Sequence, residues 1–215
     1  MTIRFSLADI QKNNIISNAH NVIAAVSSAL ESYQNFKFFV RELLDDAIKK
    51  IEQNANKMGF ELTEDQLTLH LLALIDNEFI GVRASHEVNQ RGHCDITIQL
   101  GKFIWHGEAK KHSSAYSYLF KGYSQLTERY SSGTVDSASG GVIIYTKNKN
   151  CSDVMKNYIA YLRKGAPKIH EAGAINVSPC ANNPLVFYST HKHTVTKLDY
   201  EVIHYPVNLY HNPKE

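Results

Sequence analysis

The run Gly140-Gly141-Val142-Ile143-Ile144-Tyr145-Thr146 contains no charge and no polar alternation. A strand that is apolar on both faces has to lie in the middle of a sheet that is itself covered on both faces. The rest of the 215-residue chain supplies the cover: the whole sequence is 43% apolar and 20% charged, enough to bury a core without staples and unlike a disordered or purely coiled-coil sequence.

Apolar residues recur at helical spacing from Val22 through Val26, Ala29 and Tyr33, then at Phe36, Val40, Leu43, Ala47 and Ile51. The pattern predicts one long helix or two, stopping at the polar stretch 53–57 and Gly59. Residues 1–59 are therefore expected to form an N-terminal helical segment for packing or dimerisation, and 60–215 the main domain. Thr63 followed three residues later by Gln66 is a capping box, so a second helix starts near Glu64 and turns Leu67, Leu71, Leu74 and Ile75 inward. Glu64 falls on or beside that stripe.

Phe79 to Val88 reads as extended, and Asn89-Gln90-Arg91-Gly92 as a turn. Ile96, Ile98 and Leu100 then alternate with Asp95, Thr97 and Gln99, and Gly101-Lys102 turns into a second strand, Phe103 to Lys110. A helix over Tyr118–Tyr130, the central strand 140–146 and a helix over Val154–Leu162 follow, the last stopped by Gly165-Ala166-Pro167. Leu185–Ser189 and Leu198–Leu209 close the sheet on its far side. The order is α-β-β-β-α-β-α.

Asp95 begins one strand of the hairpin, while Glu108 and Lys110 end the next and share a face, with Ala109 turned away. An uncompensated charge in such a sheet costs several kcal/mol, about 3 or more, so these groups need one another or a metal. Two carboxylates on neighbouring strands make a hard oxygen site suited to Mg²⁺ or Mn²⁺. An ammonium beside it lowers the pKa of a bound water and stabilises charge building on phosphorus.

Gly92-His93-Cys94-Asp95, thirteen residues before Glu108-Ala109-Lys110, resembles the D…(D/E)xK signature of the PD-(D/E)XK, or restriction-endonuclease-like, nuclease superfamily. The proline of that signature is absent. Over roughly residues 61–165 the element order is also similar to the family's, which implies an α/β fold with an αβββαβ core and a central mixed sheet, preceded by the N-terminal helical segment. The resemblance implies that Asp95 and Glu108 hold Mg²⁺ or Mn²⁺, that the Ala109 carbonyl adds a ligand, and that Lys110 assists the attacking water. It offers Glu64 as a further metal ligand, against the alternative of a helix-start residue answering the helix dipole. Some members carry a glutamine and a tyrosine or arginine on the next helix near the phosphates. Gln125 with Arg129 is similar, although Tyr130 lies five residues after Gln125 where the common pattern is QxxxY; the alternative is a polar helix face.

Residues 1–100 carry a net −4, residues 101–170 a net +7 and residues 171–215 a net −1. The basic middle, with Lys111, Lys121, Tyr123 and Arg129 beside the site, suits a nucleic-acid groove, as it also suits ordinary solvated lysines. His191-Lys192-His193 lacks convincingly spaced third and fourth zinc ligands and reads as surface histidines. Trp105 reads as core packing behind the site. Cys94, Cys151 and Cys180 form no CxxC pattern, and no apolar run spans a membrane, so the chain is expected to be cytoplasmic. The resulting expectation is a Mg²⁺-dependent nuclease acting on double-stranded DNA, working as a homodimer through Phe36, Val40, Leu43 and Ala47, in restriction or anti-phage defence with or without a partner protein. A non-catalytic nucleic-acid-binding or scaffolding protein of the same fold is the alternative.

Overall fold

Ser32 divides the N-terminal helical run in two. In the computed structural model, which describes residues 14–57, 61–86, 88–89, 93–113, 115–169 and 175–212, α1 spans Asn14–Glu31 and α2 spans Tyr33–Gln53. Ser32 is extended, and its hydroxyl accepts the Asn35 N–H at 3.2 Å, which starts a fresh helix. Gly59, the expected domain boundary at 59/60 and residues 90–92 of the expected turn lie outside the described residues.

The face of α2 expected to pair with a second copy is consumed inside the chain. Phe36, Val40, Leu44 and Ala47 are buried in one core with the sheet, and Phe36 stacks on Phe103 at 5.6 Å. Leu44 takes the core position expected of Leu43, which sits half-buried at the flank, and Val22 is 42% exposed. An apolar stripe demands an apolar neighbour but does not say whose, and here the neighbour is the sheet.

Helix α3 spans Glu64–Ile75 and starts with the expected reciprocal cap between Thr63 and Gln66. Leu67, Leu71, Leu72 and Ile75 are buried, whereas Leu74 faces outward. A short 3-10 turn, Glu78–Ile80, occupies the start of the run expected to be a strand, and it leaves Phe79 fully exposed. Gly81, at φ +74°, closes that turn in the left-handed region and lets β1 begin at Val82.

The strands are β1 Val82–Ser85, β2 Val88–Asn89, β3 His93–Cys94, β4 Ile96–Leu100, β5 Phe103–His112, β6 Ser139–Thr146, β7 Asn176–Pro179, β8 Phe187–Lys192 and β9 Asp199–Asn208. Seven form one sheet in the order β1-β4-β5-β6-β9-β8-β7, and β2 pairs with β3 as a separate ribbon. β1, β4 and β5 are an antiparallel meander; β5, β6 and β9 run parallel; β8 and β7 return antiparallel. The crossover between β5 and β6 contains α4, Tyr116–Gln125, continued by a π-helical turn over Leu126–Tyr130. Helix α5, Cys151–Gly165, follows β6 and is capped by Asn150. β7 is mostly exposed and has no apolar alternation, so the sequence carried no signal for it.

Strand β6 is buried at every position, as its composition requires. Ile143 and Tyr145 join the core beneath the N-terminal helices, and Val142 and Ile144 join the second core beneath α4 and α5. Trp105 belongs to the first core, and a Cβ on Gly107 or Gly141 would lie 2.7 or 2.5 Å from its ring, so both positions need glycine for the indole to lie flat on the sheet. Among the described residues no helix is long and apolar enough to cross a membrane.

The histidines at the end of β8 and just beyond it are buried rather than superficial: His191 and His193 are 7% and 3% exposed. His191 Nδ1 is 3.2 Å from the Tyr123 hydroxyl, and His193 Nε2 is 2.9 Å from Ser131 Oγ. His204 is completely buried, stacked on Phe187 and hydrogen-bonded to Tyr158 and Ser189, and burial lowers its pKa to about 3. A depressed histidine pKa contributes stability that is present above the unfolded value near 6.5 and is lost as pH falls toward the folded value. His204→Asn, which keeps a donor and an acceptor, is therefore expected to lose about 2 kcal/mol less unfolding free energy than wild type between pH 7 and 5. Denaturant titrations of both proteins at the two pH values check this, and parallel losses would refute it.

Candidate active site

Pairing of β4 with β5 ends at Ile96 and Gly107. Beyond that point β5 continues through His112 on β6 alone, because the chain bends away at Asp95. The bend aims the Asp95 carboxylate at the strand edge it has left, where its Oδ2 accepts the Ala109 N–H at 3.0 Å. Asp95 therefore satisfies a backbone donor that a longer β4 would have paired.

The same opening gathers oxygen around one cation. Lys110 Nζ lies 2.7 Å from Glu108 Oε2, 2.8 Å from the Ala109 carbonyl, 3.1 Å from Asp95 Oδ2 and 3.7 Å from Glu64 Oε1. Glu64 arrives from the first turn of α3: its carboxylate also accepts the Lys111 N–H at 2.6 Å and the Tyr118 hydroxyl at 3.0 Å. The Tyr118 ring lies 5.8 Å from the ammonium. Helix α4 closes the cage from above at Gly122, where a Cβ would come within 2.8 Å of Lys110 Cγ. Glycine inside a helix costs about 1 kcal/mol relative to alanine, so this residue was the sequence signal for a close approach at the site.

Burial sets the electrostatics. Glu108 is 1% exposed, and its Oε1 is buried without a hydrogen-bond partner. Desolvation, with a smaller push from Asp95, outweighs the attraction of Lys110 and raises the Glu108 pKa to about 8. Burial alone would lower Lys110, but Glu108, Asp95 and Glu64 together hold it above its ordinary value. Neighbouring Cys94 is a buried thiol raised to about 12, chiefly by desolvation, and is a packing group rather than a nucleophile.

Asp95, Glu108, Ala109, Lys110 and Glu64 thus converge. The other candidates are placed differently. Lys111 is drawn toward α3, with its Nζ donating to the Leu62 carbonyl at 2.9 Å. Lys121 and Arg129 are exposed on the α4 segment, and Gln125 is half-buried at its end. Tyr123 is fully buried against His191 and lies in the core, away from any groove. Tyr130 is only 6% exposed, and its hydroxyl is pushed upward by burial and then by the charges of Glu108, Cys94 and Asp95. The π turn explains this. The Ser131 N–H bonds the Leu126 carbonyl, five residues back, and the wider turn swings Tyr130 toward the side of Gln125, from which α-helical winding would have carried it away. Tyr118 and Gly122 were not singled out from sequence as site residues: an interior helix glycine signals a close approach without naming the strand approached, and Tyr118 carries no such signal.

No family model, curated protein or solved structure matches the chain. Among the described residues no group of three His, Cys, Asp or Glu side chains is arranged to hold a metal ion; Lys110 stands among the carboxylates instead.

A raised carboxyl pKa contributes stability that is fully present below about 4.5 and is lost as pH rises through about 8. Glu108→Gln keeps the shape and removes the titration. The stability of wild type relative to Glu108→Gln is expected to fall across that window, by up to about 5 kcal/mol. Unfolding free energies of both proteins at pH 5, 6.5 and 8.5 measure it, and a constant difference would refute the assignment.

Proposed function

We propose that the protein is a divalent-metal-dependent nuclease that hydrolyses phosphodiester bonds, with DNA as its substrate, built on a restriction-endonuclease-like αβββαβ core. The observation that carries the reading is the buried Glu108 carboxylate, with one oxygen unpartnered, meeting Asp95 and Lys110 where two central strands part. Support from the topology is independent: a helix, three antiparallel strands, a crossover helix and a parallel fourth strand occur in the order the core requires.

The donor set fits Mg²⁺ or Mn²⁺, since it is composed of carboxylate and carbonyl oxygens and includes an oxygen with no other partner. Asp95, Glu108 and the Ala109 carbonyl would hold the ion, with Glu64 beside them. A divalent cation there would supply an acidified water and neutralise phosphate charge. Lys110, already fixed by three oxygens, places its ammonium to stabilise charge developing on phosphorus. Asp95 anchors the Ala109 N–H and so keeps the carbonyl between Glu108 and Lys110 in line. Exposed Lys121 and Arg129 supply positive charge for a phosphate backbone.

A second reading has its own observation: the ammonium occupies the centre of the oxygen cage, as it would in a nucleic-acid-binding protein that has no catalytic ion. Incubation with supercoiled plasmid, linear duplex, single-stranded DNA and RNA, each with Mg²⁺, Mn²⁺ or EDTA, separates the two. The expected outcome is metal-dependent cleavage, abolished by Asp95→Ala and Glu108→Ala through loss of the ion. Lys110→Ala should abolish cleavage with metal binding largely intact by calorimetry. Undiminished cutting by Glu108→Ala would end the nuclease reading, and binding without cleavage would favour the second.

A further inference from the structure

A cavity of about 300 Å³ opens between α2 and the sheet, on the face away from the carboxylates. Its floor is Trp105, its apolar wall includes Val40 and Leu44, and Phe38 and Tyr188 stand at its sides. Two cations from successive turns of α2 line it. Lys37 and Arg41 have side chains only 18% and 21% exposed, and the one carboxylate among the described residues that line the cavity is Glu201, held by Lys37 at 2.9 Å.

Arg41 is the unusual member. Among the described residues the only acceptor hydrogen-bonded to its guanidinium is a thiol, Cys180 Sγ, at 3.0 Å. Asp45 faces its Nε at 3.7 Å, beyond hydrogen-bond reach. A guanidinium is a planar fork of five donors that matches carboxylate, phosphate or sulfonate oxygens two at a time. Partly withdrawn from water and given only a weak sulfur acceptor, Arg41 retains donor capacity directed at an apolar, aromatic-walled space.

We propose that this cavity binds a small aromatic anion, with its ring between Trp105 and Tyr188 and its anionic group on Arg41, assisted by Lys37. The chemistry follows from the walls: aromatic and aliphatic surface takes up a flat ring, and Arg41, whose ion-pair partner Asp45 faces only its Nε from 3.7 Å and whose one hydrogen-bonded acceptor is a thiol, keeps strong donors for an anionic group. The site is independent of the nuclease reading and stands or falls without it.

The protein contains a single tryptophan, and it forms the cavity floor, so Trp105 emission reports on the cavity. The probe is 8-anilinonaphthalene-1-sulfonate, compared with N-phenyl-1-naphthylamine, which has the same rings without the charge. Saturable quenching of Trp105 is expected, with the sulfonate bound about tenfold more tightly than the neutral probe. Arg41→Gln should remove that preference and leave neutral-probe affinity unchanged. Ala181→Phe, at an exposed position on the rim, should block both probes while leaving the circular dichroism spectrum unaltered. Equal affinity for the two probes, sulfonate binding indifferent to Arg41→Gln, or quenching that persists in a folded Ala181→Phe would each overturn the proposal.

Discussion

An ammonium ion buried in a sheet governs the arrangement of everything near it. Lys110 is 5% exposed and would be expelled or neutralised if its surroundings offered nothing. Two oxygens borne by β5, the Asp95 carboxylate at the bend before β4 and a helix-borne carboxylate keep it charged. Each demands something of the fold. Asp95 requires that the chain bend just before β4 begins, Glu108 requires parity with Lys110 on β5, and Glu64 requires that α3 begin just there. The capping box is thus more than a helix signal: by fixing the first turn of α3 it sets where Glu64 can reach, and the Lys111 N–H and Tyr118 hydroxyl hold the carboxylate in place.

The second core follows from the first. Because Glu108 and Lys110 lie on the same face as Val142 and Ile144, the crossover helix must cover a charged patch as well as an apolar one. It does so with Gly122 over the lysine stem, and with Leu119, Tyr123 and Leu126 over the apolar surface. The π turn that follows keeps Leu126 in the core and still returns Tyr130 toward the carboxylates. One extra residue per turn costs some helix regularity, and turns of this kind recur where a side chain has to be re-aimed.

What could be read from sequence was whatever is local. Alternation at Ile96, Ile98 and Leu100, the cap at Thr63 and the apolar run of β6 each encode their own geometry, and the site residues lay where those elements joined. Missing information was relational. The α2 stripe did not name its neighbour, so a surface that packs on the sheet read as one that pairs with a second copy. His191 and His193 looked superficial because polar residues usually are; their partners, Tyr123 and Ser131, lie more than sixty positions away. The spacing from Gln125 to Tyr130 departed from an α-helical pattern, and no residue in 126–130 announces a π turn.

The two faces of β5 divide the labour. On one, alternate residues carry the charges; on the other, Trp105 and Ala109 pack into the larger core, with the indole lying over Gly107. That apolar backing is what makes the charged face costly: with the sheet covered behind, water reaches Glu108 from neither side, its pKa climbs, and its remaining oxygen has no partner. A cation or a hydrogen-bond donor reaching that oxygen would satisfy it and favour the ionised carboxylate together. The packing that stabilises the fold therefore works against the charge on Glu108, and the ammonium of Lys110, bonded to only one of its two oxygens, offsets that in part.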